Sequence, residues 1–269
     1  MSAVTTMAGR AVEHQGSPVH VALVLARRNL VGIRRLPSTF IPALVMPVFF
    51  VIAFSGQYRG ITNIPGFGTD NILSWYTPMA ALMGSSFAGL GTAFSTARDL
   101  EGGFFDRLLL APVPRVALMG GALIAGTVRA AVAAAAVVVV GLAGGAAVPG
   151  GGLGVLSLMV ASVGVSLVAS LWGLGLVYRI KTQSAGPIVQ VGIFIGLWLS
   201  TAQAPLPVIT GWLHAVARVN PVSDILDLAR QGFLGHVGWS STWPGVLAFT
   251  GLIAVTFPFA VRGMRRLVP

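Results

Sequence analysis

An all-helical, multi-pass membrane protein is the fold class predicted by this 269-residue chain, and three observations carry the prediction. Apolar residues make up 55% of it and charged residues only 9%, where a soluble domain carries about 25% charge. Too little charge remains to cover a surface facing water. Mean hydropathy is +0.85, and the apolar residues arrive in runs of about 20, the length that crosses roughly 30 Å of hydrocarbon. The Lys and Arg residues gather in alternate links between those runs.

The first 36 residues form a cytoplasmic N-terminus. Residues 1–20 lack an apolar stretch closed by a small-residue cleavage site, so no cleaved signal peptide is expected. Over residues 19–36, a helical projection puts Arg27, Arg28, Arg34 and Arg35 on one arc and Leu23, Ala26, Leu30 and Ile33 on another. This predicts an interfacial amphipathic helix, its arginines facing lipid headgroups or a cytoplasmic partner, or simply anchoring the chain by charge.

Residues 37–269 form the transmembrane domain. Six spans are expected, at 37–55, 72–95, 116–142, 153–178, 185–202 and 244–261. With the N-terminus inside, 13 of the 17 basic residues fall on the cytoplasmic side, three (Arg59, Arg218 and Arg230) fall outside, and Arg129 lies within the third span. Cytoplasmic links carry the excess of Lys and Arg, so both termini are placed inside. The apolar segment between the fifth and sixth spans reads as two short external helices broken at Asn220-Pro221, with Ser223 as N-cap and Gly232 or Gly235 ending the second. Neither is long enough to cross, so a re-entrant pair covered by other protein is expected.

The link between the second and third spans runs Arg98-Asp99-Leu100-Glu101-Gly102-Gly103-Phe104-Phe105-Asp106-Arg107-Leu108-Leu109 before Pro112 and Pro114. Charges followed by apolar knobs and a proline stop describe either a short helix lying along the membrane face or an ordinary interfacial loop.

Chemistry is sparse. The only lysine, Lys181, follows Ile180, so no Gly-Lys-Ser/Thr phosphate cradle can form. His14, His20, His214 and His236 are scattered, and with no cysteine there are no thiolate ligands or disulfides. No catalytic or metal residue is assigned. All seven acids lie outside the spans, which removes the usual mark of an ion-coupled carrier. Arg129 is either a contact for an anionic or polar substrate or a structural donor to a carbonyl or hydroxyl in the bundle. Gly192-x-x-x-Gly196 permits close helix approach, within the chain or across a dimer.

The loop residues Leu100-Glu101-x-Gly103-x-x-Asp106-Arg107 to Pro112, and Gly211-Trp212-Leu213 with Val219-Asn220-Pro221-Val222 and Ala229-Arg230, resemble motifs of type-2 ATP-binding-cassette exporter permeases, particularly the bacterial daunorubicin-resistance-like branch. With the six-span layout, the resemblance covers nearly the whole chain. It implies a permease in the bacterial plasma membrane, paired with a second copy or a paralogue, each resting on a cytoplasmic ATPase that holds the ATP and Mg. It further implies that the link is a coupling helix contacting the ATPase, with Arg98, Asp99, Glu101, Phe104, Phe105, Asp106, Arg107 and Leu108 as candidates. The Gly102-Gly103-Phe104-Phe105 turn departs from the more polar turn of many relatives. Trp212, Asn220 and Pro221 are implied in an external gate, and the first, second and fifth spans in the substrate path.

On those spans Phe49, Phe50, Trp75, Tyr76, Met79, Met83, Phe194 and Trp198, with Arg129, are the candidate lining, suited to a hydrophobic or amphipathic substrate. Drug, antibiotic, lipid and glycan precursor remain open as cargo. A membrane-embedded lipid-modifying enzyme and a non-transporting scaffold are the competing classes. Membrane lipid is the expected environment, and no nucleic acid partner is expected despite the formal charge of +10.

Overall fold

The computed structural model describes residues 17–35, 41–65, 67–109 and 115–267. Regular structure among them is entirely helical. The order is α1 (Pro18–Arg35), α2 (Ile41–Gln57), a short 3-10 helix (Arg59–Asn63), α3 (Ile72–Glu101), α4 (Phe104–Leu109), α5 (Arg115–Ala143), α6 (Gly151–Ile180), α7 (Ala185–Trp198), α8 (Gly211–Val219), α9 (Pro221–Arg230) and α10 (Trp239–Arg265).

Helices α5, α6 and α10 are long and apolar enough to cross a membrane by length and composition. Helix α3 matches α6 at 30 residues but carries Ser74, Thr77, Ser85, Ser86, Thr92 and Thr96, all buried. Several of these hydroxyls are bonded back to the helix's own carbonyls, Ser85 to Ala81 at 2.8 Å and Ser86 to Leu82 at 2.9 Å, which makes a polar helix tolerable in an apolar bundle. Helix α7 has only 14 residues, about 21 Å at 1.5 Å per residue. The run expected as a span to residue 202 therefore leaves helical conformation after Trp198 and continues as turns.

Helix α3 is the axis of the bundle, packed by α2, α5, α6, α7 and α9. Small residues set the approach. A Cβ on Gly89 would lie 2.7 Å from the Ser166 carbonyl oxygen of α6, so only glycine lets the two backbones meet. At the opposite end of α6 from Ile180, the Gly150 amide donates to the Gly232 carbonyl at 2.9 Å, and Gly154 and Gly232 touch backbone to backbone with no room for a Cβ on either.

Two local expectations are corrected. On α1, Ala22 and Ala26 are the buried residues and Leu23 is exposed. The helix rolls its smallest residues onto α5, where a Cβ on Gly121 would fall 2.7 Å from Leu25 Cβ. The side chains of Ile33, Arg34 and Arg35 lie outside the described residues. On α9, the N-cap is Asn220 and not Ser223: Asn220 Oδ1 accepts from the Val222 amide at 3.0 Å, and Pro221 occupies the first helical position, where a missing N–H costs nothing. Ser223 Oγ instead donates to the Ala217 carbonyl at 2.7 Å, joining α8 to α9. Helix α9 ends at Arg230 with Gln231 as its C-cap, so Gly232 stands at the first position past the end, as expected.

Candidate functional site

The helices have two ends of different chemistry. One, the basic end, gathers α1, the close of α3, α4, the start of α5, the close of α6 and the close of α10. Here Arg28 donates through both terminal nitrogens to Asp99, at 2.8 Å each, and its guanidinium lies 3.8 Å from the centroid of Phe104. The two bonds to the Asp99 carboxylate raise the Arg28 pKa against the opposing effect of partial burial. Glu101 accepts from the Gln183 amide at 2.8 Å and from Gln183 Nε2 at 2.6 Å, tying the end of α3 to the α6–α7 turn. Phe105 is buried, 6.0 Å between centroids from Tyr178 of α6, in a cluster with Met119 of α5 and Met264 of α10.

The eight candidates of the link thus separate by environment. Asp99, Glu101 and Phe105 are spent on contacts within the chain. Arg98 and Arg107 are exposed, while Phe104 and Leu108 are half-buried. The Asp106 side chain lies outside the described residues. Arg28 and Gln183, the partners that organise this end, were missed because their significance depends on contacts 71 and 82 residues away in sequence.

In the interior, Arg129 is buried and donates to Thr92 Oγ1 of α3 at 2.7 Å, while its Nε has no hydrogen-bond partner among the described residues. Of the other candidate lining residues, Trp75, Tyr76, Met79 and Met83 are buried in the main core cluster, and they line no open path in this conformation. Tyr76 instead donates to the Gln203 carbonyl at 3.2 Å. Phe49 is 61% exposed on α2, and Phe50 meets Trp198 of α7 edge-on at 6.4 Å. Phe194 meets Phe87 of α3 at 5.9 Å. Phe49, Ile52, Ile195 and Trp198 together give α2 and α7 exposed apolar surface. The Gly192/Gly196 pair faces its own chain: a Cβ on Gly192 would stand 2.8 Å from Trp172 Nε1 of α6, and the Cβ position of Gly196 lies 3.5 Å from Val222 of α9.

The other end is closed by the segment from residue 199 to 238. Asn220 Nδ2 donates to the Gly196 and Leu199 carbonyls, at 2.8 Å each, so the α8–α9 break is fastened to the end of α7, while Trp212 is 71% exposed on α8. The strongest fastening is Arg230, 0% exposed. Its Nη1 and Nη2 donate to the Thr201 and Ala202 carbonyls at 2.7 Å each, its Nε to the Trp75 carbonyl at 3.3 Å, and its guanidinium lies 3.8 Å from the Trp75 ring centroid. Burial pushes its pKa down to about 10 against the pull of Asp227 and Tyr76, which still leaves it charged at neutral pH. Sequence reading placed it on the second short external helix; the Ala229-Arg230 pair of the motif was the signal. Among the described residues, no three His, Asp or Glu side chains come together as a metal site.

Residues 20–234 match the family model described as ABC-2 type transporter. The daunorubicin resistance ABC transporter permease protein DrrB1 of Streptomyces coeruleorubidus is 25% identical over 250 residues, 92% of this chain and 87% of that protein. The ycf38 transport permease proteins of Cyanophora paradoxa and Pyropia yezoensis are each 25% identical, over 80% and 81% of this chain and 74% and 75% of their own lengths.

Proposed function

Since the chain belongs to the ABC-2 type transporter family, we propose that it is the permease of an exporter, driven through its basic end by a separate cytoplasmic ATPase that binds Mg-ATP. In this reading six passes (α2, α3, α5, α6, α7 with its following turns, and α10) put the basic end and both termini in the cytoplasm of a bacterial cell. Two permeases, identical or paralogous, pair around the path.

The observation that carries the proposal is the construction of α4. It is a six-residue helix held at its start by the Arg28–Asp99–Phe104 knot and rooted by Phe105 in a cluster shared by α5, α6 and α10. Arg98 and Arg107, both exposed, are left for a partner, while Leu108 packs against the Phe105 cluster. A push on α4 therefore reaches three long helices through one aromatic anchor, and that shifts a two-state bundle if the ATPase grips one state better than the other. The exposed apolar surface of α2 and α7, with Phe49 and Trp198, supports a hydrophobic or amphipathic cargo. The drug resistance named for the DrrB1 relative agrees with that class. Trp75, Tyr76, Met79 and Met83 would join the lining only where α3 slides against α2 and α7.

The test is to tag the full chain, extract it gently and identify what co-purifies. A soluble P-loop ATPase at about equal stoichiometry, lost when Arg98 and Arg107 are both changed to Ala, is the expected result. Its absence across several detergents would overturn the reading.

A further inference from the structure

Helices α7 and α10 both pack along α6 but leave a gap between themselves. The gap is an open-sided cleft of about 360 Å³, with Trp172 and Val168 of α6 at its back, Ile193 of α7 and Leu252 of α10 as its walls, and Ile225 of α9 as its roof. No charged side chain lines it, and its two hydroxyls, Ser86 and Thr256, already donate to carbonyls of their own helices at 2.9 Å and 2.7 Å. In the six-pass reading proposed above, the open side lies between two crossing helices, where the molecule with access is lipid.

Toward the basic end the cleft floor changes character. Trp172 stacks on Phe259 at 5.4 Å, and the Arg179 guanidinium lies 3.9 Å from the other end of the same aromatic step, the Phe259 centroid. Arg179 is two helical turns beyond Trp172, about 10 Å along α6. It spends Nη1 on the Gly175 and Phe259 carbonyls, and that nitrogen stands 2.8 Å from where a Cβ on Gly263 would fall, beside the α10 turn that carries the exposed Arg262 and Arg266. Three arginines thus gather on adjoining turns of α6 and α10 just beyond the uncharged slot, where an anion would offset their like charge.

We infer that this slot is a binding site for an anionic phospholipid of the leaflet at the basic end, its phosphate held by Arg179, Arg262 and Arg266 and one acyl chain lying against Trp172 between α7 and α10. The rise of about 10 Å along α6 from Trp172 to Arg179 matches the depth of the middle carbons of an acyl chain below its phosphate. The site is distinct from the proposed path on the outer surface of α2 and α7 and requires no transport to be occupied.

The test uses the full chain in bilayer discs and quenching of tryptophan fluorescence by lipids brominated at mid-chain. Trp172's share is isolated as the difference between the native chain and Trp172→Phe. Brominated phosphatidylglycerol should half-quench that share at a mole fraction at least fivefold lower than brominated phosphatidylcholine. The double variant Arg262→Gln/Arg266→Gln, which changes only exposed side chains, should erase the preference, and Leu252→Trp, which fills the slot, should be read in the Trp172→Phe background as a control for bulk contact. Equal quenching by the two lipids, or a preference that survives the double variant, overturns the site.

Discussion

The two ends of the bundle are both fastened by an arginine lying over an aromatic ring, and they differ in where that arginine sits. At the basic end Arg28 reaches Asp99 and Phe104 from an exposed surface helix. At the other end Arg230 is sealed inside, bonded to three carbonyls and stacked on Trp75. An exposed ion pair contributes about 0–1 kcal/mol, so the first fastening can open and close in a working cycle. A buried cation cannot be released from this place without leaving the Thr201 and Ala202 carbonyls unpaired, at about 1–3 kcal/mol apiece. The lesson is that one chemical motif serves as a latch or as a rivet according to burial alone.

The comparison breaks most visibly at the rivet. Arg230→Met should cost at least about 3 kcal/mol and abolish recovery of monodisperse protein after extraction. Arg230→Lys should rescue little, because one ammonium cannot span the Trp75, Thr201 and Ala202 carbonyls as a planar fork does. Full thermal stability in either variant would show that the cap formed by residues 199–238 is held by apolar packing instead. Asn220→Ala removes the α9 cap and both bonds to α7, and a loss of about 1–2 kcal/mol is expected in a thermal melt.

Between the two ends, Arg129→Leu should leave melting nearly unchanged, since Thr92 keeps its own Ala88 carbonyl at 3.4 Å, while lowering export several-fold with ATPase binding intact. Native export rates in that variant would make Arg129 purely structural. The latch, too, should show only a small stability effect. Asp99→Asn should cost less than about 1 kcal/mol yet reduce transport-coupled ATP hydrolysis, and the swap Arg28→Asp/Asp99→Arg should restore part of it. A double-mutant cycle that returns no coupling energy between the two positions would reduce the knot to incidental contact.

Much of this was legible in the sequence, for identifiable reasons. Helix α1, the break at Asn220-Pro221 and the short helix at Phe104 follow from local signals: periodicity, proline placement, and a charged turn before apolar knobs. The long helices follow from hydropathy. What stayed hidden was long-range. The burial of Arg230 cannot be read from its neighbours, because only the arrival of Trp75 and Thr201 makes a dry pocket for it. Gly192 and Gly196 carry a spacing that fits any close approach, and only the fold shows that Trp172 and Val222 take the space. The phase of α1 slipped for the same reason: Ala22 is buried because Gly121 lets α5 come close, a fact residing in α5. Trp75, Tyr76, Met79 and Met83 share their helix with a polar stripe, and burial of α3 on nearly all sides leaves none of them a free face.

The bare backbone contact of Gly154 with Gly232 bears on how motion would travel. Side chains absorb displacement by changing rotamers, but two glycines in contact have none to change, so the joint has no slack. Helix α6 is a rod of 30 residues, about 45 Å long, with Tyr178 against the Phe105 anchor at one extremity and Gly154 against Gly232 of the cap at the other. Tilting such a rod at one extremity must displace the far one without delay or loss, and the cap would follow as a lid follows its hinge pin.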